Sequence, residues 1–377
     1  MKNAASQNEF PTDIESILDR VESVDPVKYA RTRNFVDGAV TRLSPYISRG
    51  VISTKYVLER TLARGYDPQH IVKFIQELAW REYYQRVWQA KGDAINKDLK
   101  NIQSDVRNSQ ISTAILNAET GIIAIDGAIS GLYETGYMHN HARMYVAALA
   151  CNFAKSHWNV PARWMYYHLL DGDWASNAIS WQWVAGAASS KKYFANQENI
   201  DRYFYTKQRG TFLDVEYSDF DSMEIPTELR QTEIPELKTA LPNSEELKID
   251  NSITTLIYNS YNLDPTWKLD VRANRILLLE PSHFEKYPAS QKVIGFLIEL
   301  ATNIDGIQVF VGEFAELIER HDPLDIYYKE HLLNRHYNGT EEDRDWMFSV
   351  RGYFPSFFGY WKKCERTLSG SQGSFEF

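Results

Sequence analysis

Apolar and polar positions in the first 210 residues repeat with a helical period. "SRGVISTKYVLERTLARG" carries an apolar stripe between Ser53, placed to cap a helix start, and Gly65, placed to end it. "DPQHIVKFIQELAWREYYQRVWQAKG" follows, with Asp67 as cap, Pro68 in the first turn and Gly92 as the stop. Further helices are predicted over 122–134, 139–156 and 160–170. Beyond residue 250 the period shortens. "TTLIYNSY", "NRILLLEP" and "GIQVFVGEF" read as short buried strands, with a helix over 290–303 between the last two. A strand–helix–strand unit implies a small parallel sheet. Between the two patterns, residues 211–250 are acidic and punctuated by proline, the signature of a linker or wrapping loop. The chain is therefore expected to be mainly α: a helical domain over 1–210, an acidic linker over 211–250, and a small α/β domain over 251–377 ending in the aromatic tail "WMFSVRGYFPSFFGYWKKCE".

Composition narrows the class. Of 377 residues 44% are hydrophobic, which suits a globular chain with a sizeable core. Aromatic residues make up 14%, enough for stacking surfaces or a large planar ligand, although a helical core filled with rings accounts for many of them equally well. Two cysteines, Cys151 and Cys364, cannot ligate an iron–sulfur cluster or build a disulfide framework, which fits a reducing cytoplasm. Cys151 sits in an apolar run and is expected to be a buried free thiol. The opening "MKNAASQNEFPTD" has no apolar signal core, and stretches such as "MYVAALA" are too short to span a membrane. The net charge of −9 argues against nucleic acid until it is divided: residues 1–210 sum to +4 and residues 211–377 to −13. The first part can present a basic face while the second keeps the molecule soluble.

Candidate chemistry gathers in four stretches. Glu77, Trp80, Arg81, Tyr84 and Trp88 fall on one helix face, either as a core stripe with a Glu–Arg pair at its edge or as a working surface. "GYMHNHARM" places His139, Asn140, His141, Arg143 and Met144 together. Histidines two apart on a helix point in different directions, which argues against a metal site and suits polar contacts lining a cavity. "DGDWASNAISWQW" joins Asp171, Gly172, Asp173 and Asn177 to Trp174, Trp181 and Trp183, with no basic residue to balance the acids. By itself the DGD–Asn177 group reads as a turn and helix N-cap.

The order of these stretches resembles the flavin-binding domain of the photolyase/cryptochrome family. "TRLSPYISRGVIS", "QELAWREYYQRV", "TGIIAIDGAISGLYETGYMHNHARM" and "LLDGDWASNAISWQW" follow the family's sequence over residues 25–210, and residues 211–377 lie outside the likeness. The resemblance implies bound FAD. Thr41, Arg42, Leu43 and Ser44, with Tyr29 upstream, match the segment gripping the pyrophosphate, where hydroxyls and backbone N–H groups serve phosphate oxygens. Arg81 is a further cofactor contact. Asp171, Gly172 and Asp173 match the acidic element beside the isoalloxazine, Arg143 is the expected partner of Asp171, and Asn177 matches the residue facing flavin N5.

The resemblance also implies DNA containing pyrimidine dimers as the partner. Trp80 and Trp183 match the indoles that sandwich a flipped dimer, and Glu77 the carboxyl that hydrogen-bonds it. Asn140 and Met144 match positions that sort lesions, where relatives acting on (6-4) photoproducts carry histidines, so the cyclobutane dimer is implied. Arg33 and His141 match DNA contacts, His141 standing where the family usually has arginine. Trp181 and Trp158 match the first two members of an electron relay. Its third position falls in "SDVRN", which has no tryptophan, leaving Trp164, Tyr166, Tyr167 or Trp174 to carry the electron outward. The family's N-terminal antenna domain is expected to be lacking. The implied activity is light-driven cyclobutane dimer repair by a cytoplasmic monomer without metal. Rival expectations are a cryptochrome-like sensor binding FAD without repair, and a cofactor-free scaffold.

Overall fold

Caps set the helix borders in the first ninety residues of the computed structural model, which describes residues 9–243 and 246–370. Residues 1–8, residues 244–245 of the acidic segment and residues 371–377 thus lie outside the described residues. α1 (Ile14–Glu22) starts where Asp13 accepts the Ser16 N–H at 2.8 Å, and it buries Ile17 and Val21. α2 (Pro26–Thr32) and the short α3 (Ser44–Ser48) follow. α4 (Thr54–Ala63) begins at Ser53, whose hydroxyl accepts the Tyr56 N–H at 2.9 Å as the pattern predicts. The next helix starts later than its "DP" signal: Asp67 caps a turn through the Gln69 N–H at 2.8 Å, and α5 runs from Val72 to Lys91. A cap followed by proline satisfies a single turn as well as a helix start.

By packing, the chain forms two units that interleave in sequence. One takes residues up to 30, 41–90 and 238 onward; the other takes 31–40 and 91–237. The sequence pattern divides the chain linearly instead.

In the second unit a two-residue strand, β1 (Ile111–Ser112), is followed by α6 (Thr113–Leu116), α7 (Ile123–Thr135), α8 (Asn140–Ala148), α9 (Asn159–His168), α10 (Trp174–Ala185) and α11 (Gln197–Phe204). The helix predicted over 139–156 ends early, passing at Leu149–Phe153 into a π-helical turn before Lys155 adopts a left-handed φ of +54°. α10 is central. It buries Trp174, Ala175, Asn177, Ala178, Ile179, Trp181 and Gln182 nearly all round, and its alanines admit close packing against α8 and α9. The acidic segment wraps this unit: Phe220 meets Phe153 edge-on at 5.0 Å and stacks on Phe194 at 5.4 Å, and β2 (Thr232–Glu233) pairs antiparallel with β1.

The first unit resumes with β3 (Thr254–Tyr258), β4 (Ala273–Leu279), α12 (Pro281–Lys286), α13 (Gln291–Ala301), β5 (Ile307–Val311), α14 (Phe314–His321), β6 (Ile326–Lys329), β7 (Thr340–Glu342) and α15 (Phe357–Gly370). The five strands form one parallel sheet in the order β5-β4-β3-β6-β7. Ile257, Ile276, Leu278, Phe310, Phe314, Leu317 and Tyr328 make its core. β6 and β7 carry no strand signal of their own, being four residues and a polar "TEE" held by their neighbours. The aromatic tail docks on α5: Phe357 stacks on Trp80 at 3.7 Å, and Trp346 lies 3.5 Å from the Arg86 guanidinium. Beneath them Glu82 is buried, accepting from Thr54 Oγ1 at 2.6 Å and from the Met347 N–H at 2.6 Å. Burial raises its pKa above the usual carboxylate value. Phe358, in contrast, is 69% exposed and docks on nothing.

Candidate functional site

The turn between α9 and α10 builds an acidic corner in the second unit. Gly172 sits where a Cβ would come within 3.0 Å of the Leu169 carbonyl and 3.2 Å of the Tyr166 carbonyl, so any side chain would crowd this tight turn. The turn sets Asp171 and Asp173 side by side, both buried. Arg143 Nη2 reaches both Asp171 oxygens, at 2.9 and 3.0 Å, while its Nε donates to the Met138 carbonyl at 2.8 Å. The counter-charge missing from the local sequence thus comes from α8. Asp173 occupies the N-cap position of α10 but caps no backbone group; its carboxylate accepts from Ser176 Oγ at 2.5 Å. Asn177, one helical turn on, is buried, and its Nδ2 donates to the Ala162 carbonyl at 2.8 Å. Hydrogen bonds at both ends fix the orientation of these groups.

Two further sets lie in the same unit. Trp183 is 43% exposed, tilted against Tyr193 at 5.8 Å; Asn140 is exposed and Met144 half-buried. His141 packs on Tyr203 at 4.5 Å, and burial, opposed by a hydrogen bond to the Asn34 backbone and reinforced by the Arg33 charge, holds its pKa below the ordinary value. The structure therefore brings Arg33 and His141 together. Trp158 and Trp181 are fully buried. Trp158 lies 6.5 Å from Trp174, which meets Tyr166 edge-on at 5.6 Å, while Trp164 donates to the Tyr133 hydroxyl at 3.0 Å. Sequence reasoning missed Asp98, which accepts the Trp158 Nε1–H at 2.7 Å from sixty positions away along the chain. No local pattern announces such a partner.

The first unit holds the other expected residues. Tyr29 meets Phe74 edge-on at 5.4 Å. Thr41 Oγ1 accepts the Leu43 N–H at 3.3 Å, Leu43 is buried, and Ser44 opens α3. Arg42 pairs with Glu9 and holds a left-handed φ of +54°, a conformation that costs a non-glycine residue about 1–3 kcal/mol and collects at working sites. Glu77 pairs with Lys73 at 3.1 Å on the half-buried face of α5. Arg81 donates to Ser48 Oγ at 2.9 Å and lines a cavity of about 260 Å³ with Gln85, His331 and Arg344. Trp80 has one ring face covered by Phe357. Docking by the aromatic tail, Phe357 included, is what the sequence leads one to expect, but no motif names Trp80 as its partner.

In the second unit the donor set suits a flavin. Two neighbouring carboxylates and an amide offer acceptors for a ring N–H and for ribityl hydroxyls, and Gly172 lets the backbone come close. Among the described residues no cluster of His, Cys, Asp or Glu is placed to hold a metal ion, and no described helix is long and apolar enough to cross a membrane.

Comparison with known proteins points the same way. Residues 74–218 match the FAD binding domain of DNA photolyase. The chain is 32% identical over 176 residues to a deoxyribodipyrimidine photo-lyase of Salmonella typhimurium, covering 43% of this chain and 36% of the relative. It is 31% identical over 155 residues to that of Streptomyces griseus, covering 41% and 34%. A bacterial class III photolyase structure from Agrobacterium tumefaciens is 26% identical with a TM-score of 0.44, covering 50% of this chain and 44% of that one. The chain spans little more than a third of the length of these curated relatives. Over residues 74–218 the chain is thus similar to the flavin-binding domain of the photolyase/cryptochrome family, and that likeness gives FAD as the cofactor.

Proposed function

We propose that this protein repairs cyclobutane pyrimidine dimers in DNA under light. The observation that carries the proposal is the corner made by Arg143, Asp171, Gly172, Asp173 and Asn177, where acceptors are fixed in place by buried hydrogen bonds. These residues would hold the flavin ring and ribityl chain. Tyr29, Thr41, Arg42, Leu43, Ser44 and Arg81 would hold the phosphates. Bound reduced FAD supplies, once excited by light, the electron that splits the dimer. The protein's own part would be to place the lesion: by family likeness Trp80 and Trp183 would stack on it and Glu77 would serve its polar edge, and Trp183 is 43% exposed. Asn140 and Met144 would sort the lesion. Arg33 and His141 contribute a polar surface for the DNA strand, and a neutral His141 does so without adding charge. Trp158 and Trp181 supply electrons that reduce the resting flavin.

The Phe357–Trp80 stack favours a second reading, a cryptochrome-like sensor that binds FAD and has no use for a lesion pocket. The two readings separate in a binding titration. Repair requires the flavin-loaded protein to prefer a dimer-containing oligonucleotide over the same sequence undamaged, since a dimer leaves the stack at lower cost. Equal affinity for both would support the sensor and sink the repair assignment.

A further inference from the structure

We propose that Asp98 is the proton acceptor of Trp158, and that this pair ends the electron relay in place of an outer tryptophan. The inference rests on the assignment of Trp158 and Trp181 to flavin reduction. Trp158 is fully buried and its Nε1–H donates to Asp98 Oδ1 at 2.7 Å. The carboxylate is held from three directions. His157 Nε2 lies 3.2 Å from the same oxygen, and the Gln103 N–H donates to Oδ2 at 2.8 Å. His157 Nδ1 accepts the Asn159 N–H, so its Nε2 carries the hydrogen and donates to Asp98. His157 thus orients the carboxylate and does not compete for the proton.

The neighbourhood shows why an acceptor is needed here. Residues 107–108, in the stretch where a third indole is expected, run beside 155–157: the Arg107 N–H donates to the Lys155 carbonyl at 2.8 Å, and the His157 N–H to the Asn108 carbonyl at 2.8 Å. The place for an outer member is kept, but no tryptophan fills it. Trp174, at 6.5 Å, is the other ring within reach, and its Nε1–H donates to Asn96 Oδ1 at 2.9 Å. An amide oxygen is too weak a base to take a proton from an oxidised indole; a carboxylate is not. Of these two hydrogen bonds, that of Trp158 ends on a base able to take the proton.

The step balances as follows in atoms and electrons. Trp158 loses one electron, passed through Trp181 to light-excited oxidised FAD, which is the one-electron oxidant. The indole radical cation left behind is a far stronger acid than neutral indole. Its Nε1–H bond breaks, the proton forms an O–H bond on Asp98 Oδ1, and a neutral indolyl radical faces a neutral carboxylic acid. A buried ion pair thereby becomes two neutral groups, and the neutral indolyl radical, a weaker oxidant than its cation, draws the electron back less strongly.

Transient absorption on the flavin-loaded full chain tests this, because charged and neutral tryptophanyl radicals absorb differently. In the parent protein the charged form should convert to the neutral one at a rate that heavy water slows and added buffer base leaves unchanged. Asp98→Asn should slow that conversion about a hundredfold or more, the low end of what a positioned base contributes, while Asp98→Glu restores part of it. A conversion rate in Asp98→Asn equal to the parent's, or a parent rate rising with buffer base, would overturn the proposal. The parent measurements stand even if the variants fold poorly. Trp158→Phe separates the two layers. Unchanged flavin photoreduction there would overturn the relay assignment as well, whereas its loss combined with a silent Asp98→Asn overturns the role of Asp98 alone. Independently of light, the Trp158 indole N–H resonance in ¹⁵N-labelled protein should lie downfield and move upfield in Asp98→Asn; a resonance that does not move contradicts the hydrogen bond on which the proposal depends.

Discussion

Replacing Arg143 with methionine should destabilise the flavin-binding unit more than any other single change at the acidic corner. The Asp171 side chain is 5% exposed and that of Arg143 21%, so the pair is close to a buried one. Removing one partner of a buried pair leaves an uncompensated charge and costs about 3–5 kcal/mol; the partial exposure of Arg143 places this case near about 3. The variant also loses the Nε hydrogen bond to the Met138 carbonyl, which anchors the turn into α8. Asp171→Asn should cost about 1 kcal/mol, because the amide keeps an acceptor for Nη2 and strands no buried anion. The double variant should then cost about 2 kcal/mol less than the sum of the single ones, since each removes the same interaction. Urea melts followed by circular dichroism, with and without added FAD, read these differences directly. In a thermal scan about 3 kcal/mol corresponds to a drop of roughly 6–12 °C for a cooperative unit of this size. An Arg143→Met protein within about 0.5 kcal/mol of its parent would refute the reasoning, because it would place Asp171 in water or give it another cation.

Three further outcomes are expected. Phe357→Ala should cost about 3 kcal/mol by opening a cavity against Trp80 and Tyr83, and should shift tryptophan fluorescence to the red; an unchanged melt would mean the tail is not docked in solution. Glu77→Ala should leave FAD content unchanged and stability within about 0.5 kcal/mol, as its partner Lys73 is exposed, yet slow dimer repair; full repair would remove Glu77 from the site. Burial lowers the pKa of His331 well below the ordinary value and that of His283 to about 4, so the unfolded chain takes up protons near pH 6.5 while the folded one does not. Stability should therefore fall as the pH drops from about 6.5 toward about 4, partly opposed by Glu82, whose raised pKa works in the other direction. His331→Gln should flatten that slope, measured as melting temperature against pH, and an unchanged slope would refute this cause.

What was legible in the sequence follows from the range of each interaction. Helix borders set by neighbours, such as Ser53 capping α4, can be read locally, and so can the strand runs of β3, β4 and β5, where apolar residues are contiguous. β6 and β7 could not be read, because a short half-buried strand and a polar one take their form from the sheet edge they join. The Arg143–Asp171 pair was legible only through family resemblance, across 28 positions of chain. The Asp98–Trp158 and Phe357–Trp80 contacts bridge longer separations, and neither residue type signals its partner. The interleaving of the two units has the same origin: residues 31–40 pack away from their sequence neighbours, and nothing in their composition marks the change.

The central claim is light-driven repair, and dimer content under illumination tests it most directly. Protein loaded with fully reduced FAD is mixed with an oligonucleotide carrying one cyclobutane thymine dimer, and intact thymines are counted by chromatography after blue light and after darkness. The account predicts restored thymines in the light, none in the dark, and slower restoration in Glu77→Ala. A stable, flavin-loaded protein that leaves the dimer intact under light would contradict it.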